Sequence, residues 1–196
     1  RASETTAENA LFNENLAALN ANDASGAAAL IKEAAGSSRL RESILFEQAH
    51  YAAKRMAPQA AELLANFITL AETPALKTQA RLDQAEVALN LNPPDLETVQ
   101  AILPLLEKEQ LSPEQTMQLA RLNILEEESR QEWPSAIQSC RRAIALDSEG
   151  KQADMLYLKL GELLYKNGDF HEAQLVLQPF PSNNLDGPLR AAAPFL

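Results

Sequence analysis

The chain predicts a nearly all-α fold, built as a stack of about five antiparallel helix pairs with the opening of a truncated sixth. Three observations carry this. Ala, Leu, Glu and Gln, all good helix formers, are abundant among the 196 residues, whereas Val, Ile and Thr are too scattered for strands. Apolar residues recur at i, i+3, i+4 and i+7, the spacing of one helix face. A self-similarity of about 34–38 residues runs along the chain, the period of units that bury their faces only against neighbours.

The first pair is expected over Glu4–Asn20 and Ser25–Ala35, with Asp23 or Ser25 as N-cap and Gly36 where a helix stops. The second covers Ser38–Arg55 and Pro58–Leu70, with Ser38 as cap and Pro58 in a first turn, where a missing N–H costs nothing. Ala49 and Ala61 are its expected small contacts. The third covers Pro74–Leu91 and Pro94–Glu109, separated by Asn92-Pro93-Pro94-Asp95. That break is firm because each proline restricts the residue before it. Pro104 lies inside the second helix and is expected to kink or shorten it.

The fourth pair covers Pro113–Arg130 and Pro134–Leu146. Ser112-Pro113-Glu114-Gln115 combines a serine cap, a first-turn proline and a glutamine three residues on, the pattern of a capping box. The fifth covers Asp154–Lys166 and Asp169–Phe180, around the turn Lys166-Asn167-Gly168-Asp169. Tyr157, Leu160, Gly161 and Leu164 form one helix face, and Phe170, Ala173, Leu177 and Phe180 form the other. Gly161 and Ala173 are small where the two helices cross. After 181–188, Leu189–Leu196 reads as the start of a sixth unit. Its apolar, uncapped Ala191-Ala192-Ala193-Pro194-Phe195-Leu196, and a start at Arg1 rather than Met, lead us to expect one repeat domain over 1–196 within a longer protein.

The spacing Tyr157-x2-Leu160-Gly161-x2-Leu164, then Gly168-x-Phe170-x2-Ala173-x3-Leu177, resembles the tetratricopeptide repeat. Trp133, Ala136, Cys140 and Ala143 repeat the second half of that pattern 37 residues earlier. The resemblance is clearest over 113–180. Before that it rests on Gln84-Ala85-Glu86-Val87-Ala88-Leu89 and on the period. Pro93-Pro94 replaces the turn glycine in the third pair, and Ser148 stands where the family has a proline after the fourth. The resemblance implies a right-handed superhelix whose first helices line a groove for extended or helical peptides. Carried over position by position, the groove would hold Gln118, Arg121, Leu125 and Glu128, then Met155, Leu158, Glu162 and Tyr165. The third pair would add Gln79, Leu82, Glu86 and Leu89. Family members that grip a chaperone's C-terminal carboxylate use a lysine/asparagine clamp. Arg121, Leu125, Leu158 and Glu162 stand at those positions, so no such grip is expected. A mixed apolar and acidic groove suits an apolar or basic helix or strand better.

The formal charge is −10, shared equally between the two halves of the chain. Nucleic-acid binding needs a basic face to neutralise phosphates, so the balance argues against it and against anionic membranes. No apolar run approaches a membrane-spanning length of about 20 residues. A single cysteine, Cys140, excludes an internal disulfide.

Enzyme chemistry finds little support. Glu47-x2-His50 is half of a di-iron pattern, but the only other histidine, His171, has no glutamate three residues before it. His50 therefore reads as a helix-surface residue. Cys140 falls on the apolar face, where free cysteines act as small hydrophobes, and Arg141-Arg142 point away from it. Glu126-Glu127-Glu128 with Glu132 fans around its helix as a solvated face, and Arg39, Arg41, Lys54 and Arg55 form a modest solvated basic group. No phosphate loop, nucleophile elbow or Cys/His metal spacing is present. The expectation is a non-enzymatic scaffold that binds a protein or peptide and needs no cofactor. Its Ala/Gln-rich repeats look like those of bacterial cell-envelope proteins. The alternative is a self-associating structural module.

Overall fold

The computed structural model describes residues 2–21, 23–147, 150 and 152–180. Among them the fold is all-helical, with ten α-helices and no strand. The chain divides into two compact units, Arg1–Glu109 and Gln110–Leu196.

The first unit contains α1 (Ala2–Asn20), α2 (Ala24–Glu33), a 3-10 turn (Ala34–Gly36), α3 (Ser38–Lys54), α4 (Ala60–Leu70), α5 (Pro74–Leu89) and α6 (Leu96–Leu106). Each helix packs on the next, and α3 also packs on both α1 and α5. Local chemistry sets the boundaries. The Asp23 carboxylate accepts from the Gly26 N–H at 2.9 Å, and Asp95 accepts from the Thr98 N–H at 3.1 Å. The cap of α3 is Ser37 rather than Ser38, accepting from the Leu40 N–H at 3.3 Å. Pro58 and Pro94 both lie just outside their helices, which begin at Ala60 and Leu96. Pro104 sits inside α6, which ends two residues later, short of Glu109.

The core of this unit joins Phe46, Ala49, Ala52 and Ala53 of α3 to Ala60, Leu64 and Phe67 of α4 and to Ala80 and Val87 of α5. Ala60, not Ala61, is the small contact of α4: Ala60 is fully buried and Ala61 is exposed. Leu82 and Leu89 are also buried, so they belong to the core rather than to any groove. The residues that pack α5 are rotated from the stripe that repeat spacing alone assigns to it.

The second unit contains α7 (Pro113–Ser129), α8 (Trp133–Leu146), α9 (Ala153–Asn167) and α10 (Phe170–Leu177), each packed on the next. The capping box at Ser112 forms in both directions: Ser112 Oγ accepts from the Gln115 N–H at 3.2 Å, and Gln115 Oε1 accepts from the Ser112 N–H at 3.1 Å. Gly168 closes α9 at φ 90°, a left-handed geometry that a side chain would strain. Ala136, Cys140 and Ala143 are fully buried against Leu156, Leu160, Leu163 and Leu164. Gly161 supplies the close approach of α9 to α10, with Leu177 filling the space where a Cβ would stand. Tyr157 and Phe170 depart from the expected buried faces, being 40% and 55% exposed. The expected sixth unit, Leu189–Leu196, lies outside the described residues.

Candidate partner-binding face

Polar contacts between consecutive hairpins recur at nearly one spacing. In the first unit, Gln48 Nε2 of α3 donates to Asn15 Oδ1 of α1 at 3.0 Å, across 33 residues. The same nitrogen donates to the Ala27 carbonyl at 2.7 Å. His50 Nδ1 of α3 meets Asp83 Oδ2 of α5 at 2.5 Å, again across 33 residues. One helical turn further on, Lys54 pairs with Glu86 at 3.5 Å. Glu42 of α3 accepts from the Thr73 hydroxyl at 2.6 Å and from the Glu72 and Thr73 N–H groups at 2.7 Å. It thereby caps the first turn of α5, whose own Thr73 side chain makes no cap. Apart from the Gln48–Ala27 bond, which reaches α2 across 21 residues, these contacts join α1 to α3 or α3 to the start or body of α5.

The second unit carries a denser version. Glu128 of α7 pairs with Lys159 of α9 at 2.6 Å and with Lys166 at 2.7 Å. Glu162 of α9 pairs with the same lysines at 3.1 and 2.6 Å. Two acids and two bases thus close a neutral cycle joining the two first helices. Burial disfavours the Glu162 carboxylate, but bonds from Lys166 and Lys159 outweigh it and hold its pKa below the usual carboxylate range. Burial likewise works against charged Lys166, yet Glu128 and Glu162 raise its pKa. The Lys166 Nζ also lies 5.5 Å from the centre of the Trp133 ring, an additional cation–π attraction. On the second helices, Arg141 of α8 bonds Glu172 of α10.

Of the eight groove positions taken from the repeat spacing, two come together: Glu128 and Glu162, through the shared lysines. Lys159 and Lys166 balance the charges of these two acids inside the cycle. Arg121 and Met155 are exposed, and Gln118, Leu125 and Leu158 are half-buried. Tyr165 turns toward its own hairpin, packing edge-on against Phe170 with ring centres 5.3 Å apart. In the first unit Gln79 donates to Asp83 at 3.1 Å.

Several polar residues behave unlike their sequence setting. Glu126-Glu127-Glu128 is not a solvated face. Glu126 is buried and pairs with Arg130 at 3.2 Å. Glu127 is half-buried, and burial raises its pKa despite a bond from Ser139. His50 is not a surface histidine either. It stacks on Phe46 at 5.4 Å, and its partner Asp83 is 1% exposed. The bond to Asp83 raises the His50 pKa against the effect of burial. The 33-residue separation was the available sign of this pair, since it is close to one repeat. Lys54 pairs with Glu86, and the Arg55 guanidinium lies 4.9 Å from the centre of the Tyr51 ring. Cys140 is fully buried, its thiol donating to the Leu156 carbonyl at 3.3 Å and pushed up to about 11 by burial.

No family model, curated protein or solved structure matches the chain. Among the described residues no group of three or more His, Cys, Asp or Glu side chains is placed to hold a metal, and no helix is long and apolar enough to cross a membrane.

Proposed function

We propose that the chain is a non-enzymatic interaction module of the tetratricopeptide-like kind, whose first helices present a surface to a peptide or protein segment. The observation that supports this most is the recurrence of cross-hairpin contacts near one repeat length, from Gln48–Asn15 at 33 residues to Lys166–Glu128 at 38. Such contacts tie α1 to α3, α3 to α5 and α7 to α9, which supports a ligand surface carried on these helices. In the second unit the neutral Glu128–Lys159–Glu162–Lys166 cycle fixes α7 against α9. Arg121 and Met155 remain open to solvent, with Leu125 and Leu158 partly so. Apolar groups beside satisfied charges suit recognition of an amphipathic helix or strand. The test is the double variant Arg121→Glu with Leu158→Asp in a binding assay with partners captured by the native chain. Loss of those partners with the helical content unchanged supports the reading, and retention of every partner removes this face from it.

A second reading is favoured by one feature. Tyr157, Leu175, Val176, Pro179 and Phe180 line a cleft of about 550 Å3 on α9 and α10. Leu175 is 56% exposed there. Exposed apolar patches often mark association sites, and this one supports stacking of copies. Sedimentation across a wide concentration range tests it: a single monomeric species throughout discards self-association.

A further inference from the structure

We propose a second binding site, in the first unit, for an extended peptide that carries acidic residues beside a large apolar side chain. It is the cleft of about 710 Å3 enclosed by the start of α3, the end of α4 and the start of α5. That volume lies within the usual range of ligand pockets.

The floor is apolar, formed by Leu45 and Phe67, and Leu70 stands over it. Phe67 belongs to the core, but Leu70 is 66% exposed, the most exposed of the large apolar side chains among the described residues. An open leucine over a formed apolar floor is a ready seat for an inserted side chain.

The rim carries two arginines, Arg39 and Arg41, and two glutamates, Glu42 and Glu72. Arg39 and Arg41 line the cleft, are both exposed, and have no ion-pair partner among the described residues. The acid best placed to neutralise them is Glu42, on the same turn. Its carboxylate is instead engaged by the Thr73 hydroxyl and by the Glu72 and Thr73 N–H groups. Burial opposes its charge, but those bonds win and hold its pKa below the usual carboxylate range. Of the rim charges, Glu72 is the only other acid against the two guanidinium groups. Guanidinium groups favour carboxylates, which they grip through paired N–H donors. An acidic ligand with an apolar anchor therefore matches rim and floor together. This site is separate from the α7–α9 face, and either proposal can fail without the other.

The experiment uses the whole chain and three fluorescein-labelled pentapeptides. One alternates Glu with Leu and Phe, one has Lys in place of Glu, and one has Ser in place of Leu and Phe. Anisotropy titrations should show saturable binding of the first alone, weakening as salt rises to about 0.5 M. Arg39→Glu with Arg41→Glu, and separately Leu70→Asp, should each weaken it by roughly tenfold or more, with unchanged circular dichroism because all three side chains are exposed. In a heteronuclear NMR titration the Glu72 and Thr73 amides should shift. Absence of saturation at about 1 mM peptide, equal binding of the Lys peptide, or undiminished binding to both variants overturns the proposal.

Discussion

Glu128 and Lys166 stand 38 residues apart in the chain and 2.7 Å apart in space. The pair ties the end of α7 to the end of α9. Glu128 is largely sheltered and Lys166 about one-third exposed, so the contact lies between a surface ion pair and a buried one. Substituting Glu128→Gln leaves both lysines to Glu162 alone. The expected loss is about 1 kcal/mol, read from urea denaturation. A double-mutant cycle with Lys166→Met should return a coupling of about 0.5–1 kcal/mol. Additive effects of the two substitutions would show that the pair contributes nothing.

Gly161 is a steric necessity of the α9–α10 crossing. A Cβ built there overlaps both Cγ and Cδ2 of Leu177. Alanine improves helix propensity by about 1 kcal/mol, but the overlap costs about 1–3 kcal/mol. The net expectation for Gly161→Ala is destabilisation by about 1 kcal/mol. Leu177→Ala opens a cavity in the native chain. It should cost clearly less in the Gly161→Ala background, because the new methyl takes part of the vacated space. A Gly161→Ala chain as stable as the native one, or equal Leu177→Ala losses in both backgrounds, would show that the helices separate freely at this point.

The His50–Asp83 contact makes the first unit sensitive to alkaline pH. A base whose pKa is raised on folding contributes its full stabilisation below its ordinary 6.5 and loses it as the pH climbs through the elevated value. Glu47 reinforces the charged imidazole and Lys54 opposes it. Urea midpoints should therefore decline over the interval in which the pH rises above the ordinary 6.5 and through the elevated value. The His50→Gln chain should show a flatter profile over the same interval. A native profile as flat as that of the variant would contradict the assigned role.

Cys140 should be inert while the chain is folded. Its thiol is fully buried and its pKa is pushed up to about 11, so little thiolate exists at neutral pH. A thiol-specific chromogenic reagent should react stoichiometrically in denaturant and only on the timescale of opening in buffer. Complete labelling of the native chain within the mixing time would rule out the buried placement.

Much of the helical framework was legible because punctuation in this chain is strong. Ser112 with Gln115, Pro74, Pro113 and Gly168 each perform a local task whose geometry depends on few neighbours, and the helices begin or end beside them. Errors arose where register mattered. Ser38 and Ala61 each missed the active position by one residue, since a small residue or hydroxyl stood on both sides. Leu82 and Leu89 went to a groove on repeat spacing, although α5 packs against α3, α4 and α6 together and buries more of its circumference. The polar pairs were harder still. Nothing in Glu47-x2-His50 announces Asp83, because the partner lies on another hairpin. A systematic search for opposite or hydrogen-bonding types about one period apart would have picked out Gln48 with Asn15 and His50 with Asp83. The Glu126–Glu128 run misled for a related reason: consecutive acids look solvated unless the neighbouring helices are known to bring Ser139, Lys159 and Lys166.

The proposed function requires a partner to lie on the face carried by α7 and α9. Site-specific photo-crosslinking tests that directly. A benzophenone side chain placed at Arg121 or at Leu158 should form one discrete adduct with a native partner, and the same group at exposed Gln174 of α10 should form none. Adducts from Gln174 alone, or equal yields from all three positions, would contradict the account.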